Sequence, residues 1–299
     1  MFSELIAIVS PIFIAAAIGF VWARAGYDYP SEFIGRMVMN IALPCLLIST
    51  LSHSQVELPA LLRMGLACLI ASGFMLLLAL PVLKLMKLNV RHWLNSLMFA
   101  NTGNMGLPLT LFAFGEEGLA LSLGWFTGMM LLQFTLGNAV VSRATGLRQA
   151  SELFTKPAIW GVIIGAFLLG SEQRLPLGLD RTAALLGQIS IPLMMITLGV
   201  SIAQLKAPVL SIPIALSVLR IGGGLACGFA AATLLGLEGT ALGVVLLQSA
   251  MPVAVFNYLL ALHHQRAASE VASMVLISTL MALPLLPLLV TIARNAAAN

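Results

Sequence analysis

The chain has 299 residues, of which 60% are hydrophobic and 9% are charged, and its formal net charge at pH 7 is +4. A soluble domain carries about 25% charged residues, so this composition excludes a soluble protein and predicts an integral membrane protein. The small basic excess does not indicate a nucleic-acid partner. The three cysteines, Cys45, Cys68 and Cys227, lie in apolar segments without ligand spacing, so we expect neither a metal site nor a disulfide.

Apolar segments recur along the whole chain, and each crossing of a bilayer needs about 20 such residues. The N-terminal segment is interpreted as a first span, because it lacks the basic region and the small-residue cleavage site of a signal peptide. The sequence therefore predicts an all-α polytopic membrane protein with ten transmembrane helices. They run near 4–23, 33–52, 60–83, 94–114, 118–141, 157–170, 184–204, 208–235, 240–262 and 270–292.

The basic residues are unevenly distributed between the two sets of predicted loops. If the N-terminus lies outside, ten fall on the cytoplasmic side and four on the outer side, with Arg220 inside the eighth span. This bias predicts a multi-pass protein of the cell (inner) membrane with both termini outside. The ten are Arg24, Arg36, Lys84, Lys87, Arg91, Arg143, Arg148, Lys156, Lys206 and Arg266.

The two halves of the chain show a weak internal repeat. The segment PIFIAAAIGF (11–20) aligns with PAIWGVIIGA (157–166), NIALPCLLIST (40–50) with QISIPLMMITL (188–198), and GLPLTLFAF (106–114) with AMPVAVFNY (250–258), at offsets of 144 to 148. Five spans per repeat is an odd number, so the repeats 1–145 and 155–294 should be inverted relative to each other. Inverted repeats with paired broken helices are typical of secondary transporters, and the breaks point to the binding site.

The predicted fourth and ninth spans contain the segments ANTGNMGLPL (100–109) and LLQSAMPVAVFNY (246–258), which combine helix breakers with polar side chains. Pro108 and Pro252 are expected to break these spans, and the freed backbone groups must face protein or a wet cavity. Half-helix N-termini at such a crossing suit anions such as carboxylates. A purely structural role stays open as the alternative, since prolines can simply kink a spanning helix and amide side chains can hold neighbouring helices together. The candidate substrate-binding residues are Asn101, Thr102, Asn104, Gln248, Ser249 and Asn257.

Arg220 is the basic residue that stays inside a predicted span even when the span boundaries are shifted. A charge within the membrane is a functional candidate by default. Arg220 could act as a charge partner of an anionic substrate, or it could hold the two broken spans together by contacts with their backbone carbonyl groups. The alternative is that it reaches the headgroups by snorkelling.

The segment NTGNMGLPL resembles the fourth span of the auxin efflux carrier family, which includes the plant carriers and bacterial organic-acid permeases. QSAMPVAVF (248–256) resembles the ninth span, and NIALPCLLIST, VLRIGGG and SMVLISTLMALP are similar to the second, eighth and tenth. The chain has no long central hydrophilic loop and is therefore similar to the compact prokaryotic members. A Lys-Glu pair of the plant carriers is replaced here by Phe256 and Asn257.

This resemblance implies a ten-helix inverted-repeat fold of the bile-acid-symporter and sodium/proton-antiporter type. Spans 1, 2, 6 and 7 would form a scaffold that also dimerises, and spans 3–5 and 8–10 a moving transport domain with crossover helices 4 and 9. Asn101 matches the family's substrate-contacting asparagine, Pro108 and Pro252 its crossover prolines, and Gln248 its ninth-span glutamine.

The expected function is secondary transport of small organic anions such as malonate, malate or auxin-like acids, by elevator-type alternating access. The alternative is a sodium/proton-antiporter-type cation carrier, but its buried carboxylates are missing, because all eleven acids lie in predicted loops or at span ends. We expect no enzyme activity, since no Ser/His, paired Asp or metal-ligand cluster falls within a span. No cofactor is expected, and the partners are the anion, the bilayer and a second copy of the chain.

Overall fold

The computed structural model of the chain describes residues 2–137, 140, 154–171, 173–205, 210–263 and 267–298. These residues fold into helices joined by short connections. The helices are α1 (Phe2–Arg24), α2 (Ser31–His53), α3 (Leu58–Leu85), α4 (Val90–Met98), α5 (Thr102–Gly137), α6 (Pro157–Ser171), α7 (Leu177–Gln204), α8 (Ser211–Leu234), α9 (Gly239–Ser249), α10 (Val255–His263) and α11 (Ala268–Ala298).

Seven of these helices are long and apolar enough to cross a membrane: α1, α2, α3, α5, α7, α8 and α11. The helix α6 and the helix α9 are apolar but shorter. The all-helical, multi-pass architecture is thereby confirmed, whereas the count of ten spans and the inverted repeat stay predictions. The boundary between the two predicted repeats falls mostly outside the described residues, as do Arg143, Arg148, Lys206 and Arg266.

The helix α5 contains 36 residues, which would give a straight helix of about 54 Å at 1.5 Å per residue. A bilayer core is only about 30 Å thick, and α5 is interrupted at Gly115, where φ is 67° and ψ is −158°. Glycine adopts this left-handed backbone without a Cβ penalty. The exposed Glu116 and Glu117 follow directly, so α5 consists of two apolar segments that meet at Gly115.

The helices pack in two sets of neighbours. The helix α1 contacts the 190–204 part of α7, and α2 contacts α6 and the 177–187 part of α7. In the second set, α3 contacts α5 and α8, while α9 contacts α5, α8 and α11. One cluster of buried apolar side chains lies largely within the second set, and another joins α1, α2, α6 and α7 to one side of α5, α9 and α11.

The helices α1 and α7 approach each other closely at two glycines. A Cβ at Gly199 would overlap the Ala16 carbonyl, and a Cβ at Gly19 would overlap the Ile196 carbonyl. Lipid tails are as apolar as leucine, so membrane helices associate mainly through van der Waals packing, which small residues permit.

We therefore expect Gly199→Ala to lower the melting temperature of the purified protein in detergent, by overpacking worth about 1–3 kcal/mol. Gly73→Ala in α3 is the matched control, because a Cβ at Gly73 would have no atom within 4 Å. Equal melting temperatures for the two variants would contradict this account of the packing.

Candidate functional site

Two helix interruptions contact each other. The chain leaves helical structure between α4 and α5, at residues 99–101, and again between α9 and α10, around residues 252–254. Ala100 and Val253 form an isolated antiparallel β-bridge. The Asn101 N–H donates to the Pro252 carbonyl at 2.7 Å, and the Ala254 N–H donates to the Phe99 carbonyl at 3.2 Å. We call residues 99–101 and 252–254 the junction.

Neighbouring helices satisfy further backbone groups of the junction. The Val253 N–H donates to the Ser278 hydroxyl of α11 at 3.0 Å. The Phe99 carbonyl also accepts from the Asn257 side-chain amide at 2.9 Å, and Asn257 Oδ1 accepts from Gln133 Nε2 at 3.3 Å. Buried backbone groups are costly to leave unpaired, so these side chains stabilise an interruption that lies among apolar helices.

The first interruption lies before Pro108 rather than at it, which corrects the expectation from the sequence. A π-helical turn (Thr102–Gly106) follows the junction, with the Gly106 N–H bonded to the Asn101 carbonyl at 3.1 Å. Pro108 then stands in the first turn of the α-helical segment Leu107–Leu132. Because α5 begins at Thr102, Pro108 lies in its second turn, where the π-helical pairing changes to α-helical pairing. Pro252, in contrast, belongs to the junction itself.

Arg220 binds the helix ends that enter the junction. Its Nη1 donates to the Leu97 carbonyl at 2.6 Å and to the Met98 carbonyl at 3.3 Å, at the end of α4. Its Nη2 donates to the Ser249 carbonyl, at the end of α9. The side chain is only 3% exposed, so the snorkelling alternative is wrong. A helix C-terminus carries about −0.5 of an elementary charge, so the two ends together balance one guanidinium.

The helices that leave the junction begin at a cavity of about 110 Å³, which we call the junction cavity. Thr102, in the first turn of α5, and Val255, the first residue of α10, both line it. Asn101 also lines it; this residue is 4% exposed, and its Nδ2 has no hydrogen-bond partner. The full lining is Met39, Ala100, Asn101, Thr102, Gly103, Asn104, Phe126, Met129, Met130, Gln133, Phe134, Met194, Ala254, Val255 and Phe256.

A larger cavity, of about 730 Å³, lies between α2, α5 and α7. Its lining includes Glu116 and Glu117, as well as His53 and Asp180, whose Nε2 and Oδ2 are 3.4 Å apart. Met195 lines this cavity, whereas its neighbour Met194 lines the junction cavity. The two cavities therefore lie on either side of this point of α7. In the described part of the chain, no group of three or more His, Cys, Asp or Glu side chains could hold a metal ion.

A family model described as membrane transport protein matches residues 140–290, about half of the chain. The chain belongs to this family, that of the auxin efflux carriers. An uncharacterised transporter of Methanothermobacter thermautotrophicus is 27% identical over 267 residues, which cover 85% of this chain and 86% of that protein. An uncharacterised transporter of Methanocaldococcus jannaschii is 28% identical over 265 residues, which cover 83% of this chain and 85% of that protein.

Three of the predicted binding residues of this membrane transport protein come together. Asn101, Thr102 and Asn104 all line the junction cavity, where the first N–H groups of α5 lie. The N–H groups of a first helical turn have no partner within the helix. Amide side chains and the first turn of α5 therefore border the same space.

The other three predicted residues lie outside the lining of the junction cavity. Gln248 is fully buried and its amide packs against Gly106, with neither Nε2 nor Oε1 hydrogen-bonded. The Ser249 hydroxyl donates to the Leu246 carbonyl at 3.2 Å. Asn257 holds the Phe99 carbonyl, as described above. Of these three side chains, Asn257 is the one that binds a backbone group of the junction.

Sequence reasoning missed the apolar lining of the junction cavity. Phe126 and Phe134 carry no local motif that separates them from other aromatic residues of the spans, and Phe256 was noted as a replaced plant-carrier residue but not as part of a cavity. Met39 and Met194 come from α2 and α7. The internal repeat aligns residues 40–50 with 188–198. The second segment contains Met194, and the first begins directly after Met39. This repeat was the one sequence signal for this part of the site.

We expect Arg220→Gln to destabilise the protein strongly, because hydrogen bonds to charged groups are worth about 1.5–3 kcal/mol each. Arg220→Lys should restore only part of the loss, since one ammonium cannot reproduce the planar fork that reaches both helix ends. The melting temperature in detergent measures both effects, with exposed Arg63→Gln as the control. An Arg220→Gln protein as stable as this control would contradict the assigned role.

Proposed function

We propose that the protein is a secondary transporter that binds a small organic anion, such as a carboxylate, in the junction cavity. One observation carries the proposal: in a member of a membrane transport family, two helix N-termini and the unpaired buried amide of Asn101 converge on one cavity. Helix N-termini favour anions through free N–H groups and the positive end of the helix dipole.

The substrate moves by elevator-type alternating access in this proposal, with crossover helices formed by α4–α5 and α9–α10. The packing supports it, because α1, α2, α6 and α7 form one set of neighbours and the helices that hold the junction form another. Both cavities lie where these two sets meet: Met39 and Met194 line one, and Met195 lines the other. In this proposal each set takes spans from both inverted repeats, 1–145 and 155–294, and the homodimer through α1, α2, α6 and α7 stays a prediction.

A cation carrier of the same fold has less support. Such a carrier needs carboxylates or free carbonyl oxygens within the membrane. No Asp or Glu of the described residues is buried, and the last carbonyls of α4 and α9 are bonded to Arg220. A carrier without enzyme activity fits these residues best, since the cavity offers donors that bind and orient an anion but no nucleophile paired with a base.

We expect Asn101→Ala to reduce transport by about tenfold or more, because it removes the buried amide that lines the cavity. Uptake of labelled malonate, malate and indole acetate into proteoliposomes measures this effect. Asn40→Ala is the control, because Asn40 is an exposed amide of α2. An Asn101→Ala protein that transports as well as Asn40→Ala would show that the site lies elsewhere, and no saturable flux of any carboxylate by folded protein would refute the proposed function.

Both termini are proposed to lie outside. In a variant whose three cysteines, Cys45, Cys68 and Cys227, are replaced by alanine, a cysteine at the exposed Gln55 should react with an impermeant maleimide on intact cells. A cysteine at the exposed Lys84 should react only after the membrane is opened. The reverse pattern of labelling would invert the proposed orientation.

A further inference from the structure

Gln248 of α9 carries an amide that the present conformation leaves without hydrogen bonds. Its side chain is fully buried, and neither Nε2 nor Oε1 has a partner in the described part of the chain. An amide removed from water without a compensating hydrogen bond costs free energy, and most buried side-chain amides are therefore paired. A methionine of similar length would fill the same space without this cost. The present conformation alone therefore gives no reason for a polar side chain at this position.

The amide of Gln248 lies against the π-helical turn of α5. A Cβ at Gly106, the last residue of this turn, would overlap Gln248 Oε1. Glycine therefore lets the amide reach the backbone of the turn. The backbone groups of Gly106 are already paired, because its N–H donates to the Asn101 carbonyl and its carbonyl accepts from the Thr110 hydroxyl. The amide and the turn are thus in contact without a hydrogen bond between them.

The π-helical turn has an alternative pairing in which the amide gains a partner. In this turn the Gly106 N–H bonds to the carbonyl five residues earlier, that of Asn101, whereas α-helical pairing joins residues four apart. Rewinding the turn to α-helical pairing releases the Asn101 carbonyl. The Gln248 amide, which contacts Gly106, is the side-chain donor beside the N–H that this carbonyl loses. Single π-helical turns within α-helices are frequent at functional sites.

The same turn carries part of the lining of the junction cavity. Thr102, Gly103 and Asn104 belong to the turn and line the cavity. A change of helical pairing turns these residues with respect to the cavity, so it alters the site. The backbone pairs that close the junction, Asn101–Pro252 and Ala254–Phe99, are not part of this change. The site therefore rearranges locally while the junction itself stays closed.

We propose that Gln248 is a positioning residue for transport, whose amide binds the Asn101 carbonyl after the π-helical turn of α5 rewinds. This inference rests on the proposed function, because it assigns Gln248 a role in the transport cycle. The unpartnered amide destabilises the present conformation relative to the rewound one, which keeps both conformations populated. Gln248 acts through the turn rather than on the anion, since it lies outside the lining of the cavity.

The variant Gln248→Met separates this role from a merely structural one. It removes the amide but keeps an unbranched side chain of similar length, so the melting temperature of the purified protein should rise by about 2 °C or more. Uptake of labelled malonate, malate and indole acetate into proteoliposomes should fall by about tenfold or more, because the rewound turn loses its partner. Gln248→Leu is a second apolar variant with the same expected results.

Ser190→Ala is the matched control for the loss of a buried polar group. The Ser190 hydroxyl is also buried and without a partner among the described residues, but it lies in α7. Its removal should leave uptake at the wild-type rate. A fall in uptake for this variant equal to that of Gln248→Met would show that the effect is not specific to Gln248, and would overturn the inference.

Binding shows whether the amide of Gln248 contacts the anion. Calorimetry with malonate, malate and indole acetate on the purified full chain should give dissociation constants for Gln248→Met within about twofold of wild type. Asn101→Ala should weaken the same binding. A slower uptake at unchanged affinity is the result that a positioning role requires and that a direct contact does not produce.

The outcomes separate this inference from the proposed function. The inference is overturned if the apolar variants transport at the wild-type rate, or if both melt below wild type, which would mean that the amide has a partner in the present conformation. Weakened binding in Gln248→Met would overturn it too, and would make Gln248 a contact of the anion, while Asn101→Ala still tests the anion site. If folded wild-type protein transports none of the three acids, the inference and the proposed function are both overturned.

Discussion

The contact between the two helix interruptions is the constraint on which the rest of the structure depends. Breaking a helix within an apolar environment frees backbone N–H and C=O groups that lipid cannot satisfy. Here the two breaks satisfy each other through the pairs Asn101–Pro252 and Ala254–Phe99. Arg220 then binds the carbonyl ends of α4 and α9. A single buried guanidinium therefore neutralises the negative ends of two helices, which leaves the positive ends of α5 and α10 to face the junction cavity.

The proposed anion site has no cationic side chain among the described residues of its lining. An arginine or lysine placed directly in the cavity would hold a carboxylate through a charge-assisted hydrogen bond, which is about twice as strong as a neutral one. A carrier must also release its substrate, and moderate binding by amides and helix N-termini allows this. Arg220 contributes indirectly, because it neutralises the negative carbonyl ends of α4 and α9, which enter the same junction.

Composition and periodic apolar segments were enough to predict an all-helical membrane protein, and the predicted boundary between the fourth and fifth spans coincides with Gly115. The position of the first interruption was not predictable from local signals. Phe99 and Ala100 carry no helix-breaking chemistry, and they leave the helix because they pair with residues 252–254, which are distant in sequence. The sequence predicted the break at Pro108, but this residue lies within α5, directly after its π-helical turn. On polarity alone, Asn101 and Asn257 were equally good candidates for binding residues. Only the tertiary contacts show that Asn101 lines the cavity, whereas the side-chain amide of Asn257 binds the Phe99 carbonyl.

The origin of the junction's hydrogen bonds bears on how the site can move. The side chains that hold it, Gln133, Arg220, Asn257 and Ser278, all come from α5, α8, α10 and α11. The helices α2 and α7 reach the cavity through the thioether side chains of Met39 and Met194, which are flexible and make adaptable apolar contacts. Displacement of the junction past α2 and α7 would therefore exchange one set of van der Waals contacts for another, without breaking any hydrogen bond that closes the interruptions. A site with this construction can be carried as a rigid unit, which is the property that alternating access by an elevator motion requires.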